Sequence, residues 1–197
     1  MMNFTVISEK ITNGLTSELS YSEEKKELIS YAIETALLSI CGSFLIVFLG
    51  FLANAIIPVL IAAVCGSLLR RLSGGAHFNT PVKCLIYGAV IYTLIGVAAK
   101  ELVNYSLTNQ YVLIVLLLIS FFLVAFLAPV DCVAKPINSR NLRLKLKVSS
   151  IAFVLISCIV VILNNHSLVN VSMVLGILYQ SLTLLPIFNR RGGEYSL

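Results

Sequence analysis

Charged residues divide this chain into long silent stretches and short polar intervals. Residues 35–69 carry no charged side chain, and neither do residues 148–189. A membrane-spanning helix needs about 20 apolar residues, so 35–69 holds barely two short spans. Asn54, with Pro58 beyond it, predicts a tight hairpin between them, and a single long helix bent at Pro58 is the alternative. A third span is predicted from Pro81 to about Lys100, followed by a polar connection, Glu101–Gln110. The fourth runs from Tyr111 to Ala128 and is ended by Pro129. Residues 131–147 read as a basic loop. Asn164-Asn165-His166 then divides the last silent stretch into spans near 148–163 and 168–188.

The N-terminal segment has a different pattern. Val6, Ile7, Ile11, Leu15 and Leu19 recur at helical spacing with polar residues between them. Ser20 or Ser22, followed by glutamates, is a plausible helix start. Such an amphipathic segment lies along the membrane surface or covers the bundle. It has no continuous apolar core, so it does not read as a secretory signal. Its six acids, counting Glu34, outnumber three lysines and argue against simple anchoring to anionic lipid. The expected fold is therefore all-α: a polytopic integral membrane helical bundle of about six transmembrane helices. An N-terminal amphipathic helical segment (1–34) precedes the membrane-embedded region (35–189), and a short tail (190–197) follows.

Composition agrees with this pattern. The 197 residues are 58% hydrophobic and only 12% charged, against about 25% charged in soluble domains. Mean hydropathy is +0.97. The net charge of +5 does not indicate a nucleic-acid partner, because the basic residues sit in short loops between apolar runs. Those loops set the orientation instead. The intervals 70–83 and 135–147 and the C-terminus hold ten of the fourteen lysines and arginines. With six spans, all three fall on one side, the cytoplasmic side.

Candidate chemistry concentrates at Arg70-Arg71-Leu72-Ser73-Gly74-Gly75-Ala76-His77, with Cys84 seven residues later. Thr80-Pro81 reads as an N-cap followed by proline at the first helical position, which sets Cys84 in the first turn of a helix. The positive end of a helix dipole favours an anionic sulfur there, and thiolate is the nucleophilic form. His77 can take the thiol proton and later return one to a leaving amine. First-turn amides around Cys84 are candidate oxyanion donors. The bland alternatives are a small buried cysteine, a polar loop histidine and an ordinary Gly74-Gly75 turn. Five cysteines, an odd number without a CxxC pair, suggest neither a disulfide framework nor a metal site. Cys41, Cys65 and Cys158 lie in apolar runs and read as packing residues, Cys132 lies in a polar loop, and His166 reads as a solvated loop residue.

The paired arginine, the Gly-Ala-His step and the cysteine seven residues on resemble the accessory gene regulator B (AgrB) family of membrane peptidases. A second match lies at Ala128-Pro129, with Lys135-Pro136-Ile137 and a basic run after it. The resemblance implies that His77 and Cys84 form a catalytic dyad, with Arg70, Arg71 and Gly75 supporting the site. It implies a short AgrD-type propeptide as substrate, a thioester on Cys84, and ring closure to a thiolactone or lactone used in quorum sensing. It implies a homodimer among membrane lipids, and the mechanism requires no cofactor. Arg140, Arg143, Lys145 and Lys147 are candidates for docking an acidic propeptide tail, the alternative being contact with lipid phosphates. Two other classes are open to this sequence. A small transporter predicts polar residues inside the spans, where Gln180 is the main exception to an apolar pattern. A non-catalytic scaffold predicts that loss of Cys84 is harmless.

Overall fold

The computed structural model describes residues 4–17, 21–75, 80–130 and 139–188. Seven helices account for nearly all of them: α1 (Phe4–Thr16), α2 (Glu23–Leu52), α3 (Ile56–Ser73), α4 (Pro81–Asn104), α5 (Gln110–Leu127), α6 (Arg140–Leu163) and α7 (Ser167–Leu182). Five of them, α2 to α6, are long and apolar enough to cross a membrane, and α7 is a shorter apolar helix.

The hairpin expected near Asn54 is present. α2 ends at Leu52, Asn54 takes a left-handed φ of 51°, and α3 begins at Ile56. Asparagine tolerates that conformation better than most residues. α2 gains its length from the charged side. It starts after Ser22 and runs unbroken for 30 residues, roughly 45 Å at 1.5 Å per residue. That exceeds a hydrocarbon core of about 30 Å, so its Glu/Lys-rich first turns project beyond it. α1 folds back along these turns. Its Ser8 hydroxyl meets that of Ser30 at 3.1 Å, and Thr5 donates to Glu34 at 3.2 Å. The buried face of α1 is Ser8, Thr12 and Thr16, whereas Val6, Ile7, Ile11 and Leu15 face outward.

Three boundaries differ from the sequence expectation. α4 continues to Asn104, so Glu101 is helical and not part of the connection. α6 begins at Arg140, where the Ser139 hydroxyl accepts from the Leu142 amide at 3.5 Å. Arg140, Arg143, Lys145 and Lys147 therefore lie on helix and not in a loop. Local capping overrode the charge run, because a charged turn outside the hydrocarbon core costs a helix little. The last helix stops at Leu182 and continues as turns to Phe188.

α3 is the central helix, packed on α2, α4, α6 and α7. Apolar burial drives association weakly inside lipid, so close backbone approach at small residues matters more. A β-carbon at Gly96 of α4 would collide with the Val59 backbone, and one at Gly176 of α7 with the Ala62 carbonyl. Gly66 of α3 leaves room for the Tyr92 phenol of α4. Around this seam Val59, Ala62, Leu69, Val174 and Ile177 are fully enclosed.

Candidate active site

The C-terminal end of α3 and the N-terminal end of α4 meet. Thr80 is the extended N-cap residue of α4 and Pro81 opens the helix, as the sequence predicts, although the Thr80 side chain makes no cap bond. The Cys84 amide donates to the Thr80 carbonyl at 3.2 Å. The amides of Val82 and Lys83 therefore precede the first bond of the helix ladder and are the first-turn donors available to an anion.

Arg70 lies one turn from the end of α3. Its Nη2 donates to the Cys84 sulfur at 3.8 Å. A half-buried guanidinium thus adjoins a half-buried thiol at the N-terminal end of a helix, which sets two positive partners beside the sulfur. Arg70 and Cys84 are also within electrostatic reach of the Tyr179 phenol of α7. Tyr179 packs edge-to-face on buried Tyr92, with centroids 5.7 Å apart. Sequence reasoning missed Tyr179, and nothing in its local pattern marks it. Arg71 is exposed and sits with Arg70 in the last turn of α3, where cations suit the helix dipole.

The turn leaving α3 is held from two other elements. The Val130 amide, just after the Ala128-Pro129 motif, donates to the Ser73 carbonyl at 2.9 Å, and Gly74 pairs with Val130 as an isolated parallel bridge. Gln180 Nε2 of α7 donates to the Gly74 carbonyl at 2.8 Å. Gly74 and Gly75 have φ of +71° and +139°, values that L side chains avoid. A β-carbon on Gly74 would meet the Val130 carbonyl oxygen. One on Gly75 would lie 2.7 Å from Thr183 Oγ1 and 2.9 Å from Gln180 Nε2. Both glycines are required by conformation and by space. The two sequence motifs are thus brought to one place, and Gln180, the polar exception within the spans, holds that place instead of lining a path.

His77 follows Gly75 by two residues and lies outside the described residues, as do Cys132, Lys135, Pro136, Ile137, Arg190 and Arg191. Cys41, Cys65 and Cys158 are free thiols, and the last two pack against the core. His166 is the exposed residue preceding α7, at the opposite end of the bundle. No cluster of metal-ligating side chains occurs among the described residues. The four basic residues at the start of α6 oppose that helix's dipole, with no acid in its first turn. An external anion would relieve this arrangement.

A cavity of about 710 Å³ lies at the far end of α3, lined by Phe51, Asn54, Pro58, Lys100, Asn104 and Leu168 among others. Among the described residues, no cysteine, serine or histidine lines it, and the Lys100 amine there donates to the Asn54 carbonyl.

Comparison with known proteins adds an independent line. The profile of the family described as Accessory gene regulator B matches residues 8–184. An AgrB-like protein of Clostridium perfringens (strain SM101 / Type A) is 32% identical, over 93% of this chain and 92% of its own. The accessory gene regulator protein B of Staphylococcus intermedius is 33% identical over 72% of both chains. That of Staphylococcus aureus (strain bovine RF122 / ET3-1) is 29% identical over 76% of this chain and 79% of its own. No solved structure matches the chain.

Proposed function

Since the chain belongs to the accessory gene regulator B family, we propose that it is a membrane-embedded cysteine endopeptidase that processes a short AgrD-type propeptide for quorum sensing. The observation that carries this reading is the Arg70–Cys84 contact at the first turn of α4. Cys84 is the nucleophile and His77 the general base. The Cys84 sulfur attacks the scissile carbonyl, and its proton passes to His77. The Val82 and Lys83 amides stabilise the oxyanion. The C–N bond breaks, and the proton on His77 leaves with the amine of the C-terminal fragment. The rest of the peptide is held as a thioester on Cys84. An internal cysteine or serine of the peptide then gives its proton to His77 and attacks that thioester; the acyl–sulfur bond to Cys84 breaks, a thiolactone or lactone closes, and His77 returns the proton to the Cys84 sulfur. Exchange of one thioester for another is nearly neutral in energy, so the ring forms without ATP.

Arg71 and Gly75 support the site, Arg71 through its charge and Gly75 by letting the turn pass beneath α7. The positive-inside distribution sets this end of the bundle at the cytoplasmic face. The basic first turns of α6 dock the acidic tail of the propeptide. The protein works as a homodimer in the bacterial cell membrane.

The decisive experiment uses a precursor whose internal nucleophile is changed to alanine. It still loses its C-terminal tail, and its N-terminal fragment stays attached to Cys84. Intact-mass measurement detects that adduct, neutral hydroxylamine releases it, and Cys84→Ala lacks it. Free linear peptide with no trapped adduct would reduce the activity to plain hydrolysis. Normal cleavage by Cys84→Ala would refute the peptidase assignment.

A further inference from the structure

Gln180 is wholly buried and belongs to a helix otherwise dominated by apolar and small residues. Only half of its amide is used. Nε2 donates to the Gly74 carbonyl at 2.8 Å, whereas the buried Oε1 has no hydrogen-bond partner among the described residues. Native proteins rarely bury an unpaired acceptor without a reason. Folding accounts only for the donor half: the Ser73 hydroxyl lies 3.2 Å from the Gly74 carbonyl but has a single proton and also reaches the Leu69 carbonyl at 2.9 Å, which leaves Gln180 Nε2 as the main donor to Gly74. A leucine at 180 would remove the orphaned oxygen and leave the Gly74 carbonyl only this shared hydroxyl.

What Gln180 adds is a tie across 106 residues of sequence, from α7 to the turn after α3. Gly75 rests against the same amide and against Thr183 Oγ1, too close for a β-carbon. On its other side the turn is held by Val130. The next residues of the chain run through His77 to Pro81 and so to Cys84. The backbone that delivers the base is therefore gripped immediately before it. Catalytic groups lose most of their effect when displaced by about 1 Å.

We infer that Gln180 is a positioning residue for the peptidase reaction: its side-chain amide locks the Gly74–Gly75 turn to α7 and thereby sets where the segment bearing His77 begins. This rests on the peptidase reading above. It touches neither substrate nor reacting atoms and acts through the turn alone. The titratable groups on the packed helices α3, α4 and α7 are Cys65, Arg70 and Arg71, then Lys83, Cys84, Tyr87, Tyr92, Lys100 and Glu101, then Tyr179, and the hydrogen bond of the Gln180 amide goes to the Gly74 carbonyl instead.

The test measures propeptide cleavage by full-length protein in membranes. Gln180→Leu accumulates with a modestly lowered melting temperature and, assayed well below it, loses kcat by about 10-fold or more and keeps KM. Gln180→Glu separates positioning from packing. A protonated glutamic acid copies the glutamine and donates to the Gly74 carbonyl, whereas the ionised form repels it. The ratio of kcat for Gln180→Glu to kcat for wild type therefore falls as pH rises, with the melting temperature followed at each pH. A Gln180→Leu enzyme with kcat within about twofold of wild type, or a pH-independent ratio for Gln180→Glu, overturns the inference. Should Gln180→Leu fail to accumulate, the Gln180→Glu ratio alone decides. Cys84→Ala run in parallel keeps the two claims apart. Cleavage by it sinks the peptidase reading, whereas an inactive Cys84→Ala beside an unaffected Gln180→Leu sinks only the role of Gln180.

Discussion

The two ends of α3 are built to opposite specifications. At Ser73–Gly75 the chain is closed tightly: Val130, Gln180 and Thr183 converge on two glycines that leave no space for a side chain. The Arg70 guanidinium and the Cys84 thiol adjoin this end of α3. At Ile56 the closure is loose. Lys100 Nζ donates to the Asn54 carbonyl at 2.9 Å across an exposed contact, and a cavity of about 710 Å³ opens beneath. Within one helix, room and reactivity are separated. Acyl transfer from a cysteine needs fixed geometry and excluded water more than volume, which is why the proposed chemistry is assigned to the tight end.

The comparison breaks most sharply at the sulfur. Cys84→Ala and His77→Ala each reduce propeptide cleavage by about 10³-fold or more, while Cys41→Ala, Cys65→Ala and Cys158→Ala leave it within about twofold. Mass detection of the released tail in co-expression checks this. Sidedness is the next contrast. Single cysteines at Asn54 and Asn165, in a background lacking the native thiols, react with an impermeant reagent outside intact cells. Cysteines at Thr80 and Ser139 react only after permeabilisation. The reverse pattern places the tight end outside.

Space is tested by Gly75→Val, which forces a β-carbon into Thr183 and Gln180 at a φ of +139°. Cleavage falls by at least about tenfold, with helical circular dichroism retained. Gly88→Ala, whose β-carbon meets nothing within 4 Å, is neutral. A smaller effect belongs to the basic start of α6. Arg140→Glu with Lys147→Glu raises KM severalfold, and matching charge reversal in the propeptide tail restores it. Without that rescue, the four cations contact lipid only. The smallest effect is at the loose end. Lys100→Met removes one exposed hydrogen bond and costs about 1 kcal/mol or less, seen as a slight drop in melting temperature with unchanged cleavage.

Most of the architecture was legible before any coordinates. The uncharged stretches gave the spans, Asn54 gave the first hairpin, Asn164-Asn165-His166 the last, and Thr80-Pro81 the start of α4. The errors lay at charged helix ends. The run at 140–147 reads as loop because hydropathy registers where a helix enters lipid, not where its hydrogen bonds begin. The Ser139 cap and the backbone ladder decide that boundary, and neither alters the hydropathy profile.

The site divides in the same way. Cys84 was visible because its helix start is written in adjacent residues, and Gly75 because a Gly-Gly pair announces a special turn. Hydropathy, capping and charge asymmetry are local sums, and the sequence by itself determined them: a helical membrane protein, its expected orientation and its candidate nucleophile. That Arg70 points at the Cys84 sulfur, that the Ala128-Pro129 motif ends on Ser73 and Gly74, and that Gln180 grips a carbonyl 106 residues away was decided only by the tertiary structure. A hydrogen-bond partner is chosen by which helices cross and at what depth, and those crossings are set by close approaches at Gly66, Gly96 and Gly176 that act between segments far apart in the chain.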